Sequence, residues 1–277
     1  MKKRIFAMLV AALVTVMLLG MFMIYQGLHQ YDVIDEYYET AEQYVVSPSP
    51  VIQATAPPQK PAEVSLVEEV SIQEESLVEA TLVEEEVETA PIAIDFETLL
   101  GDSPDTIGWL YAVDGSVNLP VVQGTDNLYY LTHLPNGDYS SGGSLFLDYL
   151  NDRGFTDEVS FIYGHNMKNG TMLQPLLEYR GQEYYDKYPV MYLLTPEKNY
   201  KLELFAGILA GIESEVYTFN FDGEESKQAF IDSLAAQSTF VPNRIPTADE
   251  RILCLSTCAY DYENARYVVF AAMTEIG

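Results

Sequence analysis

The sequence predicts a mainly β, α+β catalytic domain with about eight strands forming a barrel or sandwich, set behind an apolar N-terminal helix and a polar stalk. Three observations carry this. Short runs rich in β-branched and aromatic residues recur between turn residues from Trp109 to the C-terminus. Only a few helical patterns interrupt them. Before Ile94 the composition is that of an anchor followed by a low-complexity segment.

The chain opens on basic Met1-Lys2-Lys3-Arg4 and continues from Ile5 to Tyr25 without a charged residue. That is about the ~20 apolar residues a helix needs to cross a bilayer. The exit, Tyr25-Gln26-Gly27-Leu28-His29, offers no small-x-small cleavage site, so an uncleaved anchor is expected rather than a signal peptide. With the cations before the span and Asp32, Asp35, Glu36 and Glu39 after it, the positive-inside rule keeps residues 1–4 in the cytoplasm, with 5–25 in the membrane and the rest outside.

Residues 26–93 are expected to form an extracytoplasmic stalk. Ser-Pro-Ser-Pro and Ala-Pro-Pro-Gln-Lys-Pro extend the chain, and a Glu-rich run with imperfect Ser-Leu-Val-Glu copies at Ser65, Ser76 and Thr81 repels itself. A short helix over those copies is the competing expectation, since Glu and Leu are good helix formers. Formal net charge is −28, and Lys60 is the only Lys or Arg between Tyr25 and Arg153. Such a surface excludes nucleic acid as a partner.

The catalytic domain is expected over 94–277. Asp95 to Leu100 reads as a short helix ended by Gly101. Strands follow at Trp109–Val113, Pro120–Val122, Gly143–Leu147, Val159–Tyr163, Val190–Thr195, Tyr200–Ala206, Ile252–Leu255 and Tyr267–Ala272. Helices are expected at Met172–Tyr179 and Glu224–Gln237, the latter with Phe230, Ile231 and Leu234 on one face.

The chemistry gathers near the C-terminus. Ile252, Cys254, Ser256 and Cys258 share one face of a strand because side chains alternate. Cys254 and Cys258 lie four apart, roughly 13 Å along a strand, too far for a disulfide. The loop Ala-Tyr-Asp-Tyr-Glu-Asn-Ala then turns into a strand starting at Arg266, so a hairpin sets Arg266 beside Cys258. A guanidinium there favours a thiolate and donates to an oxygen gaining charge during acyl transfer. Of the three histidines, His29, His133 and His165, His29 lies next to the membrane in no recognisable context, whereas His165 leaves an apolar strand in Tyr163-Gly164-His165-Asn166-Met167. Gly164 would allow the sharp exit that exposes an imidazole able to shuttle protons near neutral pH.

Tyr-Gly-His-Asn-Met, Leu-Ser-Thr-Cys and Arg-Tyr-Val-Val, in that order, resemble the active-site segments of sortases, most closely class B. The resemblance runs from Ile94 to the C-terminus and takes in Asp105-Thr106-Ile107-Gly108-Trp109, Pro120-Val121-Val122-Gln123-Gly124, Asp126-Asn127 with Tyr129-Tyr130-Leu131-Thr132-His133, and Gly143-Ser144-Leu145-Phe146-Leu147-Asp148. Two positions depart from it. Cys254 stands where class B members more often carry Thr, and Ala259 stands where some carry an acid.

The resemblance implies a closed eight-stranded β-barrel with an N-terminal helix and a helix in the connection before the Cys strand. It implies Cys258 as nucleophile, His165 as acid/base and Arg266 as oxyanion stabiliser, with Asn127, Leu131, Tyr163 and Ser256, and residues of the helix-containing insertion before the Cys strand, lining a peptide pocket. No cofactor and no metal are implied. The partners implied are surface proteins with a C-terminal sorting signal, cut after Thr through a thioester, and an amine of a peptidoglycan precursor or of a pilin. A hydrolase, in which water resolves the thioester, is an alternative. So is a non-catalytic surface module, although two Cys without an adjacent His fall short of a zinc site and are not spaced Cys-x-x-Cys.

Overall fold

In the computed structural model, residues 2–48 and 88–277 are described. Ten strands and four α-helices are laid out along them: α1 Lys2–Ala41, β1 Val45–Pro48, β2 Ile92–Ile94, α2 Phe96–Asp102, β3 Thr106–Ala112, β4 Asn118–Val122, β5 Leu145–Leu147, β6 Val159–Tyr163, α3 Gln182–Lys187, β7 Val190–Leu194, β8 Asn199–Gly211, α4 Glu224–Gln237, β9 Arg251–Cys258 and β10 Ala265–Ile276.

Eight strands close into a barrel in the order β10-β8-β7-β3-β4-β5-β6-β9, so no long edge is left unpaired. β4 with β5 and β6 with β9 run parallel, and the other pairs run antiparallel. The predicted barrel is therefore the observed one, and each predicted strand has a counterpart displaced by a few residues at most, save that β8 and β10 run further. They lengthen because they pair with each other from Ala265↔Gly211 to Ile276↔Asn199.

Alternation sorts the side chains onto two faces. Leu253, Leu255, Tyr267, Val269 and Ala271 fill the interior with Leu145, Ile162, Leu193 and Leu202. Ile252, Cys254, Val268 and Phe270 face outward, where Ile231 and Leu234 of α4 cover them. Each such large apolar side chain contributes about 1.5–3 kcal/mol on burial. Cys258 and Arg266 belong by parity to the outer face, beyond the edge of that helix-covered layer.

Two helix ends differ from expectation. α2 starts as predicted, with Asp95 accepting from the Thr98 amide at 3.1 Å, but it runs through Gly101 to Asp102. Pro104 ends it instead, because a residue before proline is pushed out of the helical region, and Ser103 has left that region. The helix expected at Met172–Tyr179 is a 3₁₀ stretch, Gln174–Arg180, with Pro175 in its first turn.

The N-terminal region departs most. α1 continues past residue 25 to Ala41, and its last turns pack on the barrel: Ile34 joins the barrel core, and Ala41 and Tyr44 join Ile92, Leu99, Trp109 and Leu194. β1 and β2 pair antiparallel, Val45 with Ile94 and Pro48 with Ile92. Residues 33–48 are thus part of the folded unit rather than of a spacer, because their apolar side chains find a core to enter. The remainder of the expected stalk, 49–87, lies outside the described residues. The anchor expected over 5–25 falls partly on side chains that also lie outside them, and among the described residues no helix is long and apolar enough to cross a membrane.

Candidate active site

Register builds the site. In the antiparallel pair β9–β10 Cys258 lies opposite Arg266, the juxtaposition the hairpin predicted. In the parallel pair β6–β9 Tyr163 lies opposite Ser256, which carries His165, two residues on, to the level of Cys258. The Gly164 amide donates to the Ser256 carbonyl at 3.1 Å and the Thr257 hydroxyl to the Gly164 carbonyl at 2.8 Å, locking the two strand ends together.

Gly164 is needed for a different reason than the sharp exit expected of it. Its backbone is not left-handed; a Cβ there would stand 2.5 Å from a methyl of Leu145 and 2.8 Å from Leu173. Close packing, rather than turning, requires the glycine.

His165 Nε2 lies 2.8 Å from the Leu131 carbonyl oxygen. A carbonyl can only accept, so Nε2 carries the hydrogen and Nδ1 is left free for proton exchange. The Asn166 amide donates to the Cys258 carbonyl at 2.8 Å, holding the end of the cysteine strand. Arg266 is half-buried and donates to the Ala265 carbonyl at 3.0 Å.

Both cysteines are free; Cys258 is partly exposed and Cys254 is fully buried, its thiol pushed well up by burial. Among the described residues no group of side chains could hold a metal ion.

All seven residues singled out from the sequence line one cavity of about 500 Å³: Cys258, His165, Arg266, Asn127, Leu131, Tyr163 and Ser256. Sequence reasoning missed Phe146 and Thr257, and it brought the helix-containing insertion to the pocket without naming Ile212 or Tyr217. Tyr217, in the connection between β8 and α4, shares a hydrogen bond of 2.9 Å with Ser256 Oγ, and burial pushes its phenol up to about 12. Nothing local in the sequence marks Tyr217, since only the return of that connection over the barrel brings it to β9. The hydrogen bonds of the Leu131 carbonyl and the Asn166 side chain were equally hidden, because both residues stand in segments that carry the resemblance but a motif does not say which distant atom each one meets.

A closed barrel with a strand-end cysteine, a neighbouring arginine and a histidine at the same level defines a cysteine acyl-transfer enzyme. No protein-family model matches the chain. It is 32% identical to sortase B of Listeria monocytogenes over 167 residues, 60% of this chain and 68% of that protein. It is 28% identical to sortase B of Staphylococcus aureus over 183 residues, 65% of this chain and 75% of that protein. Among solved structures, Staphylococcus aureus sortase B superposes with TM-score 0.62 at 27% identity, covering 66% of this chain and 87% of that one. Clostridium perfringens sortase B superposes with TM-score 0.61 at 29% identity, covering 65% and 99%.

The chain belongs to the sortase B family. It is a cysteine transpeptidase, and the non-catalytic surface module is thereby set aside.

Proposed function

We propose that this enzyme uses Cys258 to cut a C-terminal sorting signal after Thr and passes the acyl group to an amine of a cell-wall precursor. The observation that carries the reading is the register of β6, β9 and β10, which brings His165, Cys258 and Arg266 to one cavity.

Cys258 Sγ attacks the Thr carbonyl carbon, and the oxygen that gains charge is met by the Arg266 guanidinium. His165, hydrogen-bonded through Nε2 to Leu131, takes the Cys258 thiol proton on Nδ1 as Sγ attacks and gives that proton to the departing amine as the C–N bond breaks. The thioester is then attacked by the incoming amine, whose proton returns to the same nitrogen as Cys258 leaves. Asn127, Leu131, Tyr163 and Ser256 hold the signal. Staphylococcus aureus sortase B has been solved with a substrate, and a sortase B has been solved with triglycine, which supports a two-substrate reading here.

Anchoring belongs to the same reading. Phe6, Leu13, Met17, Phe22 and Ile24 of α1 are each more than half exposed in the isolated chain, a cost in water that lipid removes. With residues 1–4 cytoplasmic, the barrel stands outside the membrane, where surface proteins and wall precursors meet it.

The test is product mass. The full chain, incubated with a library of quenched peptides bearing Pro-x-Thr signals and an amine acceptor, is expected to yield amine-linked product. Free acid alone, despite ample acceptor, would mean a hydrolase; cutting elsewhere than after Thr would overturn the signal assignment.

A further inference from the structure

Asp148 directly follows β5 and is 4% exposed, yet it does not line the cavity. Its Oδ2 accepts from the Asn127 amide at 2.9 Å and from the Tyr163 hydroxyl at 3.0 Å, and both of those donors do line the cavity. Its Oδ1 accepts from the Leu150 amide at 2.9 Å. The backbone around it is tied as well: the Asp148 amide donates to the Phe161 carbonyl at 2.8 Å, and Gln123 Nε2 donates to the Asp148 carbonyl at 2.9 Å.

These bonds decide what the wall can offer a substrate. Asn127 Oδ1 accepts from the Tyr149 amide at 3.0 Å and one Nδ2 hydrogen is given to Asp148, so one N–H and one Oδ1 lone pair remain, and an amide can use both whereas a carboxylate can use only the N–H. Tyr163 has given its only hydrogen to Asp148, so what it can turn to a ligand is a lone pair. Burial first, and the charge of Asp148 second, hold the Tyr163 phenol far above its ordinary value.

We propose that Asp148 is a positioning residue that sets the hydrogen-bond polarity of this wall, so that one subsite takes an amide, either a carboxamide side chain or a peptide unit, and disfavours a carboxylate. An amide has an oxygen for Asn127 and an N–H for Tyr163. A carboxylate satisfies Asn127 but sets lone pairs against Tyr163 oxygen with the Asp148 charge behind it. The proposal rests on the reading of the cavity as the signal site.

Asp148→Asn is nearly isosteric and reverses the polarity. Its oxygen keeps the Leu150 amide, its NH₂ fills the Tyr163 lone pair at the loss of the bond from Asn127 Nδ2, and the Tyr163 hydrogen is freed to point at the ligand. The experiment measures kcat/KM of the full chain on quenched Pro-x-Thr peptides paired as Asn/Asp and Gln/Glu at each position. The wild type is expected to favour the amide at one position by about tenfold or more, and Asp148→Asn to shrink that ratio several-fold at that position alone, at high salt as at low. High salt screens the general repulsion between an acidic peptide and this acidic chain. Thermal melting and the rate of Cys258 alkylation check that the variant is folded.

If Asp148→Asn slows all peptides alike and leaves the ratio unchanged, or if the wild type shows no amide preference at any position, the proposal is wrong. If the wild type cuts no peptide, the signal-site reading itself fails and the proposal goes with it. Should Asp148→Asn not fold, Tyr163→Phe decides: loss of the acceptor oxygen lowers the amide-to-acid ratio if the wall works as described, and an unchanged ratio overturns it.

Discussion

At the scale of single residues, two cysteines four apart have opposite chemistry because one lies under α4 and the other at the open rim. Cys254 is fully buried with its thiol pushed up by burial, whereas Cys258 reaches the cavity. Iodoacetamide is therefore expected to modify one thiol in the native chain, and none in Cys258→Ala until it is unfolded; two fast-reacting thiols would contradict this burial. Alternation along a strand was enough to place both cysteines on one face. It could not tell covered from open, because that depends on where α4 ends. The same limit applies to Tyr217, whose contact with Ser256 spans a connection that no local pattern encodes. His165, by contrast, was legible from its context, although its tautomer was not, since the Leu131 carbonyl that sets it comes from a distant loop.

At the scale of elements, the parallel pair β6–β9 holds the histidine to the cysteine, and Gly164, just past the end of β6, packs against Leu145 and Leu173. Gly164→Ala drives a methyl into Leu145 and Leu173. We expect a loss of about 1–3 kcal/mol in stability, read from the urea midpoint, and a fall of tenfold or more in kcat because the strand ends separate. The connection before β9 is held differently. Arg244 bonds both Glu203 and Glu250, and Glu250 also accepts from the Thr247 amide at 2.8 Å. Partial burial works to raise the Glu250 carboxyl, but the bonds from Arg244 and Thr247 together outweigh it and hold it below the ordinary value. A carboxyl lowered in the fold contributes stability that is full above its unfolded pKa of about 4.3 and is lost as pH falls through the lower folded value. Glu250→Gln should thus unfold more easily than the wild type near neutral pH, and the gap in urea midpoint should close below about pH 4; a gap unchanged at that pH would refute the assignment. Strand existence and the hairpin between β9 and β10 could be read from composition and turn residues. The extra length of β8 and β10 could not, because it comes from their pairing with each other.

At the scale of the whole molecule, α1 enters the catalytic unit rather than stopping short of it. The composition after residue 25 reads as acidic stalk, yet Ile34, Ala41 and Tyr44 each find a buried place, and β1 pairs with β2 across the low-complexity segment. Sparse apolar residues in an acidic stretch carry no helical or strand signal strong enough to reveal a docking face. A chain starting at residue 94 should lose on the order of 5 kcal/mol relative to one starting at residue 31, from the large apolar contacts removed. Its Tm should fall by roughly 10 °C or more; equal Tm values would show that 33–48 contributes nothing. The central claim concerns the cysteine itself, and intact-mass spectrometry of the full chain mixed with a Pro-x-Thr peptide in the absence of any amine tests it most directly. The account predicts an acyl adduct that maps to Cys258, disappears on adding the amine, and fails to form in Cys258→Ala and His165→Ala. An adduct elsewhere, or one that forms unchanged without His165, would contradict it.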